Sequence, residues 1–401
     1  MIPIEDIRQA ARAMENRVIK TPLLHAPTLS RMFGGQVYLK LENLQKTGSF
    51  KIRGATYKLL RCRDRIGAGG VVAASAGNHA QGVALAAKQL GVEATIVMPE
   101  WVSIGKQEAT RAYQGRVIIH GQSVGESLEK ARELAQEDRT FIHPFDDPDV
   151  ITGQGTIGLE IFEQLADPDL IVVPVGGGGL ISGIASAARQ LNPDTEVIGV
   201  QTAECPGAYE SFLKGAVTTV EGKSSIADGI SVKQVGERTF EIIRRCVDDM
   251  ALVEDEQIAA AVLMLLERKK ILAEGSGAAP LAAVLTGAVK LPQGGNTVLV
   301  ISGGNVDSPL LGRIIDQGLI KSGRVMRVQV RMADVPGSLA HLLRRVAETK
   351  ANVLHIFHDR HVAGTPLYVT HVQLELETRG PRHVKEIEQA LSESGYMFEI
   401  R

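Results

Sequence analysis

The sequence predicts an α/β protein with mostly parallel sheets, followed by a smaller unit with a different strand and helix order. Two observations indicate this fold class. Short apolar runs alternate with helical patterns as far as residue 320, which is typical of parallel sheets. Glycines are abundant, 42 in 401 residues, and they cluster just after predicted strands, where α/β proteins bind their ligands.

The first 320 residues contain the predicted elements of the parallel architecture. Apolar runs predict strands at residues 71–74, 94–98, 117–120, 170–175, 197–201 and 298–302. Helical patterns predict helices at residues 80–90, 124–136, 180–190 and 256–271. Helices follow several of the strands directly, as in a chain that crosses from one parallel strand to the next.

The pattern changes near residue 321, where the segment KSGRV is interpreted as a linker. The elements predicted beyond it are a strand at 326–332, a helix at 338–349, strands at 352–358 and 367–377, a helix at 383–393 and a strand at 396–400. This βαββαβ order is the ferredoxin-like arrangement. His355, His358 and His361 are spaced by three residues, which alternates faces along a strand, so we do not predict a metal site from them.

Composition excludes several classes of protein. The net charge is −2 and no long run of one sign occurs, so a nucleic-acid surface is not indicated. Cys62, Cys205 and Cys246 are far apart and form no CxxC pair, which argues against a zinc site or a disulfide framework. Unpaired cysteines fit a reducing compartment, and we expect a cytoplasmic location.

The chain is also expected to be soluble and not to span a membrane. Its N-terminal segment carries acidic residues and has no apolar core, unlike a signal peptide. Residues 170–188 are free of charge and nearly long enough to span a bilayer. Because they contain Pro174, four consecutive glycines and Gly183, we interpret them as strand, turn and helix.

The segment TGSFKIRGA, residues 47–55, places Lys51 among small and turn-forming residues beside Phe50. A lysine amine becomes nucleophilic when desolvation or nearby cations lower its pKa, and it can then form a Schiff base with an aldehyde cofactor. Taken alone, a lysine is usually a surface cation. The chemical interpretation therefore depends on the segments that accompany it.

The segment ASAGNHAQG, residues 74–82, follows an apolar strand and opens a helix. Ser75, Ala76, Gly77, Asn78 and His79 are expected at the C-terminal end of that strand, where the free N–H groups of a helix N-terminus can hold a carboxylate. The Asn78 amide can in addition bond a ring oxygen. The simpler interpretation of this segment is a capping turn.

A run of four glycines, Gly176, Gly177, Gly178 and Gly179, lies between a buried strand and a helix that starts near Leu180. Such a backbone can approach a phosphate closely, and its N–H groups can cradle the anion. The spacing does not match GxGxxG, and the GK[ST] of a P-loop is missing. A dinucleotide site and a P-loop are therefore both disfavoured.

The segment VLVISGGN, residues 298–305, is again a strand followed by a glycine turn, and Ser302 stands at the strand end. A serine in this place is commonly structural. Together, however, the four segments supply a Schiff-base lysine, a carboxylate cup, a phosphate cup and a partner for a ring nitrogen. Pyridoxal 5′-phosphate (PLP) is the common cofactor that needs all of these.

These motifs resemble those of the threonine dehydratases (threonine ammonia-lyases), which are fold-type II PLP enzymes and carbon–nitrogen lyases. SFKIRGA, ASAGNHAQG, PVGGGGLISG, ADG at residues 227–229 and SGGN carry the resemblance, which covers residues 5–320. It implies a catalytic domain over residues 1–320, built from two open twisted parallel sheets with flanking helices. A smaller subdomain, around residues 45–150, is implied as an insertion in the larger one.

The resemblance also implies roles for individual residues. Lys51 is implied as the Schiff-base residue, Asn78 as the partner of the pyridoxal hydroxyl and Ser302 as the partner of the pyridine nitrogen. The other cofactor contacts implied are Phe50 near the ring, residues 176–180 around the phosphate, and Gly229 of the ADG motif. The substrate carboxylate is expected at residues 75–79.

Related PLP enzymes differ from this chain at informative positions. Threonine synthases usually carry Asp where this chain has Ile52, and cysteine synthases carry Thr where it has His79. Serine racemase has a second serine where Ala76 stands, so the acid–base residue for the opposite face is missing and racemisation is less favoured. Some relatives bind a divalent cation near an acid, but the matching position here is Gln201, and no metal is assigned.

The resemblance implies deamination of L-threonine to 2-oxobutanoate and ammonia, with Lys51 taking the Cα proton. L-serine is expected to give pyruvate as well, because one methyl group supplies only about 1–3 kcal/mol of discrimination. The alternatives are racemisation, β-replacement and a non-enzymatic amino-acid sensor, and the intact Lys51 argues against the sensor. Isoleucine biosynthesis and threonine catabolism both accommodate the reaction.

The C-terminal unit, residues 326–401, resembles an ACT domain, a small-molecule regulatory module. MADVPGSLAHLLRRVAETKANVLHI carries this resemblance, with Asp334, Pro336, Gly337 and Asn352 at pattern positions. Such modules pair with copies of themselves and bind amino acids at the shared edge. The resemblance implies allosteric control by an amino-acid effector and a homodimer or homotetramer.

Overall fold

The computed structural model describes residues 1–136, 138–360 and 366–401. The strands in these ranges, in chain order, are β1 (Leu23–His25), β2 (Gln36–Leu41), β3 (Val71–Ala74), β4 (Ala94–Met98), β5 (Arg116–Ile119), β6 (Thr140–Phe141), β7 (Leu170–Pro174), β8 (Glu196–Thr202), β9 (Asp249–Val253), β10 (Asn296–Ile301), β11 (Val325–Ala333), β12 (Asn352–Asp359), β13 (Val369–Glu377) and β14 (Met397–Ile400).

The α-helices of the same ranges are α1 (Ile4–Ala13), α2 (Pro27–Phe33), α3 (Lys51–Cys62), α4 (Asn78–Leu90), α5 (Ile104–Ala112), α6 (Val124–Ala135), α7 (Pro148–Gln164), α8 (Gly179–Leu191), α9 (Gly207–Lys214), α10 (Glu237–Cys246), α11 (Asp255–Met264), α12 (Gly275–Leu285), α13 (Ser308–Lys321), α14 (Ser338–Glu348) and α15 (Pro381–Glu393). One 3-10 turn, Asp228–Ile230, matters for the site described below. All strands and helices predicted from the sequence are present with ends shifted by a few residues, except that the predicted helix 256–271 is α-helical only as far as Met264 and continues as a π-helix over Leu265–Lys269.

The larger sheet has six strands in the order β1-β2-β10-β7-β8-β9. Its neighbours run parallel except for β1, which pairs antiparallel with β2 at the edge. Every residue of β7 is buried, as expected for a central strand covered on both faces. The parallel α/β architecture predicted from the sequence is confirmed, with β1 as an antiparallel exception.

The smaller sheet has four parallel strands in the order β5-β4-β3-β6. In the chain it falls between β2 and β7, which both belong to the larger sheet. The carboxyl end of β3 and the carboxyl ends of β7 and β10 each lead into a glycine-containing turn. Several residues of the candidate site come from these turns.

A buried ion network fixes helix α3 to the larger sheet and to α7. Arg53 donates to Glu42 through Nε at 2.8 Å and to Glu160 through Nη1 at 2.6 Å. Lys40 on β2 donates to the other oxygen of Glu160 at 2.6 Å. Burial disfavours the charge of Arg53, but Glu42 and Glu160 outweigh it and hold the pKa of the guanidinium above its ordinary value. The first turn of α3, which begins at Lys51, is therefore held firmly.

The chain divides into two compact units, Met1–Asp307 and Ser308–Arg401. In the second unit an antiparallel sheet of order β12-β13-β11-β14 packs with α14 and α15 around a core of its own. The predicted βαββαβ order is confirmed by these elements. Helix α13 belongs to this unit, whereas the sequence analysis placed most of it in the catalytic part; the limits 1–320 and 326–401 stay predictions.

The described ranges hold neither a membrane-spanning helix nor a cluster of metal ligands. No helix there is long and apolar enough to cross a membrane. No group of three or more His, Cys, Asp or Glu side chains in those ranges is arranged to hold a metal ion. Of the three evenly spaced histidines weighed in the sequence, His355 and His358 lie on β12, and His361 lies outside the described residues.

Candidate active site

Lys51 is the first residue of α3, and its amine is turned into the interior of the first unit. Its Nζ donates to the carbonyl of Pro144 at 2.9 Å and lies 5.2 Å from the centre of the Phe50 ring. Burial lowers the pKa of the amine to about 8, although the nearby Glu274 carboxyl opposes the shift. An amine with this pKa is partly neutral near pH 7, and a neutral amine can act as a nucleophile or a base.

The turn between β3 and α4 contains the residues that were predicted to hold a carboxylate. The Ser75 hydroxyl accepts the N–H of Gly77 at 3.1 Å, which shapes the turn before α4 begins at Asn78. His79 is buried, and its Nε2 donates to the carbonyl of Ile142 at 3.1 Å because a carbonyl can only accept. Burial, and next the charge of Lys51, lower the pKa of His79 to about 3, so the ring is neutral.

Asn78 stands between two side chains that the sequence analysis did not single out. Its Nδ2 donates to Glu274 at 2.7 Å, and its Oδ1 accepts from Asn305 at 2.7 Å. Asn305 also donates to the carbonyl of Thr47 at 2.8 Å. Burial, reinforced by Asp228, raises the pKa of Glu274 to about 8. The Asn78 amide is therefore held in one orientation.

The four-glycine run joins β7 to α8, as predicted. Gly178 has φ +93°, a conformation that side chains disfavour, and a Cβ there would lie 2.8 Å from the Thr239 hydroxyl. A Cβ on Gly177 would lie 2.3 Å from the Phe145 ring. Only a side-chain-free backbone fits between these neighbours. The first N–H groups of α8 are left at the turn, where they can cradle an anion.

Ser302 lies beside the start of α3, and Gly229 lies beside the glycine run. Ser302 is buried at the end of β10, and its carbonyl accepts the N–H of Phe50 at 3.1 Å. The carbonyl of Gly229 lies 2.6 Å from the position of a Cβ on Gly176. A Cβ on Gly229 would in turn lie 2.8 Å from the Ser276 hydroxyl. Residues from distant parts of the sequence are thus brought to one place.

Residues 143–147, between β6 and α7, link the lysine to the glycine run. Pro144 accepts from Lys51, while the ring of Phe145 covers Gly177. The Asp146 carboxylate accepts two backbone N–H groups at the start of α10. His143 Nδ1 accepts the N–H groups of Phe145 and Asp146 at 3.3 and 2.8 Å, and burial lowers the pKa of this ring to about 4. The sequence HPFDD gave no sign of this role.

Comparison with known proteins agrees with this geometry. Residues 14–303 match the family model described as pyridoxal-phosphate dependent enzyme. The chain belongs to this family. Along its whole length it is 49% identical to an L-threonine ammonia-lyase of Thermotoga maritima, which it also covers completely. Within the family, it belongs with the threonine ammonia-lyases.

Solved structures of related enzymes share the fold. The processed form of threonine deaminase isoform 2 from Solanum lycopersicum is 36% identical, with a TM-score of 0.73 over 78% of this chain and 87% of that one. A serine racemase of maize is 34% identical, with a TM-score of 0.75 over 80% of this chain and 98% of that one. The fold-type II architecture implied by the motifs is confirmed.

The residues of this PLP-dependent enzyme fit its cofactor. PLP needs an amine for its aldehyde, an anion cradle for its phosphate and polar partners for its ring. The buried Lys51 amine and the glycine run would meet the first two of these needs. Within the described ranges the buried hydroxyls of Ser49 and Ser276 have no hydrogen-bond partner, and such groups call for a polar ligand.

Proposed function

We propose that this enzyme deaminates L-threonine to 2-oxobutanoate and ammonia, with Lys51 holding the cofactor and moving the substrate proton. The observation that carries this proposal is the shielded Lys51 amine, which has a pKa of about 8 and lies within one cluster with the Asn78 turn and the glycine run. The L-threonine ammonia-lyase of Thermotoga maritima supports the choice of substrate.

Several groups of the chain would hold the cofactor. The backbone N–H groups of residues 176–180 would bind its phosphate, because no side chain blocks them. Asn78 would donate to its ring hydroxyl, and Ser302 would meet its ring nitrogen. Phe50 and Gly229 would pack around it. When bound, PLP supplies an electron sink that makes the Cα proton of an amino acid acidic.

The chain would then position the amino acid and move its proton. The turn at residues 75–79 would hold the substrate carboxylate at the N-terminus of α4, where N–H groups point outward. His79 is neutral in this structure and would bring no charge to that cup. Once free, the Lys51 amine would accept the Cα proton, and Pro144 would keep the amine in place through its carbonyl. The β-hydroxyl would take up a proton and leave as water. The released enamine tautomerises to an imine, and hydrolysis of the imine by one water gives the keto acid and ammonia.

L-serine is the second substrate that we propose, with pyruvate as the product. Serine lacks only the methyl group on Cβ, and a methyl's contacts are worth about 1–3 kcal/mol. The expected ratio of kcat/KM between threonine and serine is therefore modest. Steady-state assays of keto-acid release with both amino acids measure it directly.

The cofactor assignment is tested by chemical trapping. Borohydride reduction of the yellow protein should attach the cofactor to one peptide, and mass spectrometry should place it on Lys51. Lys51→Ala should lose the visible absorbance band, and turnover should fall by at least about 10⁴-fold, since both the attachment and the base are lost. Lys88→Ala, an exposed lysine on α4, is the matched control and should behave as the parent. A label on any other lysine overturns the assignment.

Racemisation is the second candidate reaction, favoured by the likeness to maize serine racemase. The two reactions leave different products from L-serine, pyruvate in one case and D-serine in the other. Ala76 stands where serine racemase has a second serine, so we expect keto acid with little D-serine. Chiral chromatography of the reaction mixture distinguishes them.

We further propose that residues 326–401 form an ACT domain that regulates the catalytic domain at residues 1–320. Both edge strands of its sheet, β12 and β14, expose apolar side chains, with Phe357 at 60% and Met397 at 64% exposure. An exposed apolar edge favours pairing with a second copy. The proposal includes a homodimer or homotetramer, an amino-acid effector such as isoleucine or valine, and a cytoplasmic location.

Regulation and pairing have separate tests. Isoleucine or valine should change turnover of the full-length enzyme and bind in calorimetry at a site that a substrate analogue does not block. Phe357→Glu should shift the sedimentation of the enzyme toward smaller species, whereas Glu399→Gln, an exposed change on β14 that removes a charge, should not. An enzyme that binds no amino acid outside its active site contradicts the regulatory proposal.

A further inference from the structure

Glu274 has an unusual place for a carboxylate at the start of a helix. It stands directly before α12, at the N-cap position, yet its side chain accepts no N–H from that helix. An acidic N-cap residue ordinarily satisfies the free N–H groups behind it. Here the carboxylate extends instead to Asn78 at the start of α4, with Oε1 2.7 Å from Nδ2. Helix capping therefore does not explain this residue.

The fold makes room for the Glu274 carboxylate through a glycine of the SGGN motif. A Cβ on Gly303 would lie 2.3 Å from Glu274 Oε1, so any other residue at position 303 would displace the carboxylate. The backbone N–H of Glu274 donates to the carbonyl of Gly303 at 3.1 Å, which joins α12 to the turn after β10. Ser302 of the same motif is adjacent. The position of Glu274 is thus built into the site.

The Asn78 amide has two polar ends, and both are fixed by partners. Oδ1 accepts from Asn305, so Nδ2 must face Glu274. An amide nitrogen carries two hydrogens, and Glu274 accepts only one of them. The second hydrogen remains for another acceptor in the plane of the amide. Without Glu274, the Asn78 side chain would lose the contact that holds its nitrogen end.

We propose that Glu274 is a positioning residue, which orients the Asn78 amide so that its second N–H meets the cofactor's ring hydroxyl. This inference rests on the proposed function, in which Asn78 contacts the cofactor. A carboxyl oxygen accepts from Asn78 in either protonation state, and above pH 8, where most of the Glu274 carboxyl is ionised, the charge strengthens that hydrogen bond and polarises the amide toward the remaining acceptor.

Glu274 also affects the charge of Lys51. Lys51 on α3, Asp228 on the 3-10 turn and Lys106 on α5 all act on this carboxyl. Glu274 counteracts the effect of burial on Lys51, so its removal should lower the pKa of the Lys51 amine further. Where Lys51 Nζ carries the cofactor, loss of the negative charge would likewise disfavour the protonated form of that nitrogen, so the pH at which the cofactor's absorbance changes should move down. A residue that served only to pack α12 would leave that midpoint unchanged.

Two substitutions separate orientation from charge. Glu274→Gln keeps an oxygen that can accept from Asn78 but removes the charge, whereas Glu274→Leu removes both. Measured above pH 8, where most of the Glu274 carboxyl is ionised, PLP binding to the apoenzyme should weaken on the order of 10-fold in Glu274→Leu, the loss expected for a hydrogen bond to a charged group. Glu274→Gln should stay within about 3-fold of the parent, because the neutral hydrogen bond remains. Both variants should show the lowered absorbance midpoint, and thermal unfolding reports whether each one folds.

A double-mutant cycle with Asn78→Ala decides whether Glu274 acts through Asn78. If it does, adding Glu274→Leu to Asn78→Ala should weaken PLP binding by less than about 2-fold. A full further 10-fold loss in the double variant, or normal PLP binding by Glu274→Leu, overturns the inference. A measurement on the parent enzyme distinguishes failure of this inference from failure of the proposed function. If borohydride labels Lys51 in the parent while the Glu274 variants bind PLP normally, only the positioning role fails.

Discussion

Two of the strand-to-helix turns at the site of this enzyme use glycine for opposite reasons. In the turn after β7, Gly178 has φ +93° and a Cβ would lie 2.8 Å from the Thr239 hydroxyl. In the turn after β3, a Cβ on Gly77 would meet no atom within 4 Å. The first glycine is required by the protein's own packing. The second leaves open space, so its lack of a side chain serves whatever enters the site.

This difference predicts that substitutions in the two turns affect different properties, the stability of the fold in one case and the binding of ligands in the other. A substitution in the β7 turn should disturb the folded chain itself, with or without ligands. A substitution in the β3 turn should leave folding largely intact and act on ligands. Each of the following variants tests one side of that contrast.

Gly178→Ala should have the largest effect. A left-handed conformation costs a residue with a side chain about 1–2 kcal/mol, and crowding against Thr239 adds about 1–3 kcal/mol. We expect the apoenzyme to lose about 2–5 kcal/mol of unfolding free energy, measured in urea, together with much of its cofactor. Gly91→Ala is the matched control, because Gly91 has φ +68° but nothing within 4 Å, so it should show the conformational cost alone.

Gly177→Ala should be destabilising because of one neighbour, Phe145. The added methyl group would lie 2.3 Å from that ring, and overpacking of this kind costs about 1–3 kcal/mol. In a Phe145→Ala background the methyl group has space, so the same substitution should cost at least about 1 kcal/mol less. Equal costs in the two backgrounds, measured by urea unfolding, would show that the crowding is relieved elsewhere.

Gly77→Ala should change unfolding less than Gly178→Ala does, yet impair substrate binding. Its methyl group would enter the open space where we propose the substrate carboxylate lies. Losing a charged hydrogen bond there corresponds to roughly a 10-fold rise in KM for L-threonine. Steady-state kinetics at matched cofactor content gives KM and kcat separately. An unchanged KM would place the carboxylate elsewhere.

His79→Gln should have the smallest effect near neutral pH. The pKa of His79 is about 3 in the folded chain, against an ordinary value of 6.5, so the unfolded chain binds more protons between these values. The folded state therefore loses stability as the pH falls from 6.5 toward 3. The variant lacks this loss and should resist acid unfolding to a lower pH, with little change at pH 7. Coincident acid-unfolding curves would contradict the buried neutral ring.

The turns that have local signatures could be predicted from the sequence. A strand followed by glycines is visible in the sequence, which is why Asn78, Ser302 and the four-glycine run were identified. Glu274 and Phe145 lie in EGSGAAP and HPFDD, which look like an ordinary helix start and a loop. Their roles depend on neighbours more than 30 residues away in the chain, Asn78 and Gly177. No local pattern predicts such contacts.

The same limit applies to the fold. Alternation of strands and helices predicted parallel sheets, but it could not predict that β2 lies beside β10, since the pairing joins distant segments. The segment KSGRV was interpreted as a linker, and β11 does begin at Val325. The chain nevertheless divides after Asp307, because α13 packs with the second unit. Packing, and not periodicity, decides that boundary.

The buried ion network around Arg53 limits how this scaffold can be redesigned. It stands two residues after Lys51 in the same motif, but its partners are Glu42 and Glu160, and Lys40 shares the second of them. Removing one member leaves a buried charge without its partner and lowers the folding stability by about 3–5 kcal/mol. Exchanging the whole set for apolar residues of similar volume can leave the stability unchanged. A library that randomises these positions one at a time will return the parental residue at each. New sequences become accessible only when Lys40, Glu42, Arg53 and Glu160 are varied together. This holds even in variants that no longer need Lys51.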